Sequence, residues 1–133
     1  MHKNGMNIGE AAAASQVSAK MIRHYESIGV IPKAGRSEGG YRVYTASDVH
    51  TLGFVRRARD LGFSMQEIKK LVGLWRNKSR ASAEVKSLAL EHVKALEHKI
   101  TELEAMAKSL RQLARSCNGD ARPTCPILEG LAG

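Results

Sequence analysis

Apolar residues recur along most of this chain at helical spacing, and between residues 83 and 116 they do so without a single Gly or Pro. Val93, Ile100, Ala107 and Ala114 stand seven apart, and Leu96, Leu103 and Leu110 form a second seven-spaced row among them. Interleaved rows of this kind are the a and d positions of a heptad, so the pattern predicts one long helix with a seam for a partner helix. At ~1.5 Å per residue it would extend roughly 50 Å. A chain of this size needs no core that long, and the seam is expected to close against a second copy of itself.

The elements before it are shorter and carry their own boundary signals. Asn7 can cap a helix from Ile8, with Glu10 placed for a capping box and Ala11 to Ala14 favouring helix. After a turn at Ser15 to Val17, Ser18 can cap a second helix that runs to about Ile28 and ends at Gly29. Two short helices joined by a tight turn read as a helix-turn-helix. Gly39-Gly40 then sits between strand formers Tyr41, Val43 and Tyr44 and the preceding Gly35-Arg36, the pattern of a small β-wing. Thr45, with Asp48, opens a third helix carrying Val49, Leu52, Phe54 and Val55 inward and Arg56, Arg57 and Arg59 outward. Ser64, with Glu67, opens a fourth on which Ile68, Leu71, Val72, Leu74 and Trp75 are apolar, and Ser82 is the expected cap of the long helix. The expected fold is mainly α: a winged helix-turn-helix head with connecting helices over residues 1–75, a linker at 76–82, a dimerisation helix at 83–116 and a metal-binding loop with an apolar cover at 117–133.

Charge assigns a partner to the head. Residues 1–80 hold fourteen Lys or Arg against six Asp or Glu, a net of +8, whereas residues 81–133 hold seven of each. Cationic excess confined to one segment points to a polyanion, because neutralising phosphates releases condensed counterions. The first turns of the second helix, with Lys20 and Arg23, suit a major groove, and Arg36, Tyr41 and Arg42 on the wing suit backbone phosphates. No apolar run reaches the ~18 residues of a membrane span, and the first residues do not lead into a signal-peptide core. The expected location is therefore cytoplasmic, where two cysteines are more often working thiols than a structural disulfide.

Those cysteines follow the long helix directly. Cys117 continues the Leu96, Leu103, Leu110 row by one heptad, and the loop from Cys117 to Cys125 contains Gly119 and Pro123, with Pro126 just beyond. Two thiolates form a soft ligand set that favours Cu(I) and its heavier congeners Ag(I) and Au(I), while structural zinc normally takes four ligands and no further Cys or nearby His completes such a set. His92 and His98 lie well up the helix. Two other readings stay open on the residues alone: a redox switch closing a Cys117–Cys125 disulfide, and inert thiols. An enzyme is not expected. The cysteines lack a neighbouring base, and no phosphate-binding glycine motif or carboxylate pair stands out.

Taken together, Met6-Asn7-Ile8-Gly9-Glu10, Met21-Ile22-Arg23-His24-Tyr25-Glu26, Gly40-Tyr41-Arg42-Val43-Tyr44, Arg59-Asp60-Leu61-Gly62-Phe63 and the stalk resemble the MerR family of transcription regulators. The cysteine loop, with Ser82-Ala83-Glu84-Val85-Lys86, resembles its copper-responsive branch, CueR and HmrR. The resemblance implies a homodimer with antiparallel stalks that binds double-stranded promoter DNA whose spacer is overlong. The metal-bound form then bends and untwists that DNA for RNA polymerase. It also implies Cys117 and Cys125 as metal ligands and, at the Ser82 position, the loss of a cysteine that the zinc, lead, cadmium and mercury branches carry. By the same resemblance Ser18, Lys20, Arg23 and Tyr25 belong to the reading helix, Arg36, Tyr41 and Arg42 to the wing, and Arg57 to a phosphate-meeting position on the third helix. Three features depart from the family pattern. Residues 1–5 precede the usual start at Met6, His24 stands where an aromatic residue is common, and the chain ends at Gly133 without a Cys/His-rich tail. Organic-ligand sensors of the family carry a larger C-terminal domain than the few residues after Cys125.

Overall fold

The computed structural model describes residues 5–133, and residues 1–4 lie outside the described residues. Among the described residues the chain forms six helices and a two-stranded hairpin. Helix α1, Ile8–Ser15, begins where the sequence places it, because Asn7 Oδ1 accepts from the Glu10 amide at 2.8 Å and Glu10 Oε1 accepts from the Asn7 amide at 3.0 Å. It ends at Gln16, whose left-handed φ of 60° breaks the helical path. Ser15 Oγ donates to the Ala11 carbonyl and accepts from the Val17 amide, so the turn is satisfied locally. Helix α2, Ala19–Ser27, then starts at its Ser18 cap.

The wing is a short antiparallel pair, β1 Gly35–Arg36 with β2 Arg42–Val43, in which Gly35 faces Val43 and Arg36 faces Arg42. Gly40 takes φ 81° at its tip, a conformation that side chains beyond Cα disfavour. At the base of the wing Tyr44 and Met6 exchange two backbone hydrogen bonds of 2.8 Å, which tie the start of the described chain to the hairpin.

Helices α3, Ala46–Asp60, and α4, Met65–Arg76, both open with capping boxes, Thr45 with Asp48 and Ser64 with Glu67. Their apolar faces complete one core with α1 and α2: Ala11, Ile22, Tyr25, Val30, Ile31, Tyr44, Leu52, Val55, Ile68 and Val72 are buried. Trp75 stacks on Phe54 at 4.5 Å, and Arg76 Nη2 donates to Thr51 Oγ1 at 3.1 Å, fastening the end of α4 to α3. Ser64→Ala removes the acceptor for the Glu67 amide and is expected to lower stability by ~1 kcal/mol, the usual cost of a lost cap. Thermal denaturation measures it, and an unchanged midpoint would show that the box contributes nothing.

The stalk is α5, Ser82–Arg115, a helix of 34 residues. Ser82 is not its cap. The Ala81 carbonyl already accepts from the Glu84 amide at 3.2 Å, so the first turn closes one residue earlier and Ser82 lies within it. The connection from α4 accordingly runs over 77–81. Compact packing divides after Val85, with one unit reaching that residue and a second from Lys86 to Gly133. Within the second unit the expected apolar cover is a short helix, α6, Pro126–Ala132, opened by Pro126 whose fixed φ suits the first helical turn. It lies against α5 so closely that a Cβ at Gly130 would stand 2.5 Å from Leu113 Cδ2.

Candidate DNA interface and thiol centre

Two clefts gather most of the residues expected at DNA. One, of about 820 Å³, is lined by Arg36, Tyr41 and Arg42 of the wing together with Asn7 and Glu10 of the α1 start. The other, of about 360 Å³, brings Ser18, Met21 and Tyr25 against Arg56, Arg59 and Asp60 of α3. Lys20 and Arg23 stand on the exposed face of α2. Arg57 lines neither of these clefts. Its guanidinium folds back over Gly53 on its own helix, Nη1 lying 3.4 Å from where a Cβ there would be.

Tyr25 occupies a different place from the rest. The residue is 1 % exposed and belongs to the core, and where it borders the second cleft its hydroxyl accepts from Arg59 Nη1 at 2.8 Å. What Tyr25 offers a polyanion is therefore an aimed Arg59. Arg56 and Arg59 were visible as outward arginines, but sequence spacing holds no sign that α3 delivers them beside the α2 cap rather than Arg57.

The wing is held to α2 by one side chain that the resemblance did not single out. Glu26 Oε1 accepts from the Tyr44 hydroxyl at 3.1 Å and from the Ala34 amide at 3.2 Å, while Oε2 lies 3.3 Å from Arg42 Nε. That Nε–H is not aligned on the oxygen, so the Arg42 contact is Coulombic rather than a formed hydrogen bond. Burial, and then the neighbouring Glu26 carboxylate, push the Tyr44 phenol above its ordinary pKa, which keeps it a neutral donor.

At the far end of the chain Cys117 leaves the last turn of α5 with its amide donating to the Ala114 carbonyl at 3.1 Å. Gly119 takes φ 66°, and Asp120 turns the loop by accepting from the Arg122 amide at 2.9 Å. The chain then returns Cys125 to the N-cap position of α6, beside Cys117, and both are free, half-buried thiols. The Leu128 amide, and more weakly the Ile127 amide and the Cys117 thiol, hold Cys125 below the ordinary cysteine pKa, against burial and Glu129 acting the other way. Neither amide forms a capping hydrogen bond to the sulfur, so they act as partial positive charges facing it. Among the described residues no group of three or more His, Cys, Asp or Glu is poised to hold a metal ion. The chemistry within one chain is thus a pair of soft donors, one of them biased toward thiolate, and such a pair fits a monovalent ion that takes few ligands.

Among the described residues no helix is long and apolar enough to cross a membrane. Two family models match the chain: "MerR HTH family regulatory protein" over residues 6–73 and "MerR, DNA binding" over residues 49–113. Heavy metal-dependent transcription regulator 2 of Rhizobium meliloti is 58% identical over 127 residues, covering 96% of this chain and 86% of that protein. The transcriptional regulator CueR of Salmonella typhimurium is 41% identical, covering 96% of this chain and 93% of that one. The crystal structure of PbrR691 from Ralstonia metallidurans, in complex with lead(II), superposes with a TM-score of 0.82 at 33% identity and covers 95% of this chain and 98% of that one. With the winged helix-turn-helix head, the heptad stalk and matches of this extent, the chain belongs to the MerR family of DNA-binding transcription regulators and is not an enzyme.

Proposed function

We propose that this protein is a metal-responsive regulator that senses Cu(I), with Ag(I) and Au(I) as surrogates, through Cys117 and Cys125. It binds promoter DNA as a homodimer. The observation that carries the metal assignment is the donor set itself: two half-buried thiols brought side by side, with no third metal-ligating side chain joining them among the described residues. Relatives named CueR, and others named heavy metal-dependent regulators, support the same reading.

Metal supplies the bias between two states of the dimer on DNA, and the residues of this chain supply the rest. Lys20, Arg23, Arg36, Tyr41 and Arg42 hold the duplex, with Arg56 and Arg59 reaching phosphate beside the Ser18 cap and Arg57 on the outer face of α3. Antiparallel pairing of the stalks carries each pair of thiolates to the Ser82 end of the partner's stalk, where a serine leaves the ion without a third sulfur. The metal-bound dimer bends and untwists an overlong promoter spacer, bringing both recognition elements within reach of RNA polymerase. Such distortion costs on the order of several kcal/mol, so metal must prefer the distorting conformation by a comparable margin.

Selectivity tests the reading. Titrated anaerobically against competing chelators, the reduced protein is expected to take up Cu(I) at one ion per chain and to leave Zn(II) with the chelator. Tight Zn(II) binding that required both cysteines would overturn the assignment.

A further inference from the structure

Glu26 is out of place on a helix that reads DNA. A carboxylate there faces a polyanion and repels it, yet this one is only 10 % exposed and carries three contacts to the wing. Those contacts come from three successive parts of the chain after α2: Ala34 ahead of β1, Arg42 in β2, and Tyr44 at the end of the hairpin. Tyr44 is fully buried and its backbone is doubly paired with Met6, so the end of the wing that Glu26 grips is rigid. The Arg42 side chain is one-third exposed, while its Nε is buried with Glu26 Oε2 3.3 Å away. Its two terminal nitrogens appear in no hydrogen bond among the described residues, which leaves that outer edge available to a further anion.

We propose that Glu26 is a positioning residue for DNA: buried between α2 and the wing, its carboxylate draws the Nε side of Arg42 inward by charge so that the outer edge of the guanidinium faces the phosphate backbone. The proposal rests on the reading that Arg42 meets phosphate. Its energetic logic is that a carboxylate held beside one edge of a planar guanidinium attracts it electrostatically and narrows the orientations that DNA binding would otherwise have to freeze. Reading helix and wing then move as one body, so a phosphate contact on the wing also sets the register of α2 in the groove.

The sign of the effect separates this role from that of a solvated charge. Were Glu26 only a negative charge near DNA, neutralising it would tighten binding. As a positioning residue, its neutralisation loosens binding. The test uses the full-length protein and a short fluorescent duplex of mixed sequence, titrated between ~50 and ~200 mM salt, with wild type, Arg42→Ala, Glu26→Gln and the double variant. Glutamine retains an oxygen for Tyr44 and Ala34, and circular dichroism confirms that each variant is folded.

Arg42→Ala is expected to weaken binding and to flatten the log–log salt dependence by about one unit per chain. Glu26→Gln is expected to weaken binding about tenfold with a smaller loss of slope, and to add little in the Arg42→Ala background. Equal or tighter binding by folded Glu26→Gln would overturn the proposal, as would an undiminished effect in that background. An Arg42→Ala variant that binds like wild type would instead overturn the phosphate reading and the proposal with it.

Discussion

Serine in place of either Cys117 or Cys125 is expected to abolish competitive Cu(I) uptake by the reduced protein. A two-donor site has no reserve: with one sulfur replaced by a hydroxyl, a soft monovalent ion keeps a single good ligand and a hard oxygen it does not favour. Losing a supporting partner around a metal costs ~10–100-fold in affinity, and losing half the ligand set should exceed that range. Both cysteines sit at the half-buried corner between α5 and α6, outside the head core, so each variant should still fold and still bind duplex DNA. Anaerobic titration against a Cu(I) chelator, run beside DNA binding, reads both properties. Wild-type affinity in either serine variant would remove the two-thiolate centre. If wild type itself fails to compete for Cu(I) but responds to oxidant through both cysteines, disulfide closure becomes the better account of the loop.

Leu103→Glu should convert the dimer into separate chains. Leu103 is 57 % exposed in the isolated chain and Ile100 is 52 % exposed, yet both lie in the heptad rows of the stalk. Each dimer would lose two leucines from its seam, ~3–6 kcal/mol of apolar burial, and would have to bury two unpaired carboxylates besides. The burial loss alone raises the dissociation constant roughly a hundred- to ten-thousandfold. Sedimentation at micromolar concentration should show the monomer, with promoter affinity falling because two half-sites are no longer bound together. Lys108→Glu, one position past the Ala107 seam residue and pointing away from it, should leave the assembly unchanged. A Leu103→Glu protein that still sediments as wild type would place the dimer contact elsewhere.

How much of this was legible in the sequence depended on how far each signal reached along the chain. Asn7 with Glu10, Thr45 with Asp48 and Ser64 with Glu67 each act across three residues, and all three form as written. The hairpin at Gly39-Gly40 and the uninterrupted stalk were equally local. Tyr25 was not, because whether a helix turns a tyrosine to solvent or to the core is decided by what packs on it, and its partner Arg59 is 34 residues away. Glu26 escaped attention for the same reason, its contacts being set by the return of the wing. Helix α6 was hidden by its brevity, and its seat against Leu113 by the fact that Gly130 says nothing of its neighbour until both are placed. Ser82 erred by a single position, since a serine beside a helix start signals a cap without fixing which turn closes first. The paired thiols were legible as a pair, and the amides of Leu128 and Ile127 that favour the thiolate of Cys125 were not.

Helix α5 has no fully buried residue in the isolated chain, whereas the head owns a closed core of its own. The two parts of the molecule therefore obey different laws of concentration. Folding of the head is a unimolecular event, indifferent to how many copies a cell contains. In the proposed dimer, burial of the stalk's apolar rows is governed by mass action, because they leave water only against a second chain. At low abundance the molecule would keep folded heads without a reliable sensing end, and the threshold at which metal can act on transcription would then be set by protomer supply as much as by metal supply.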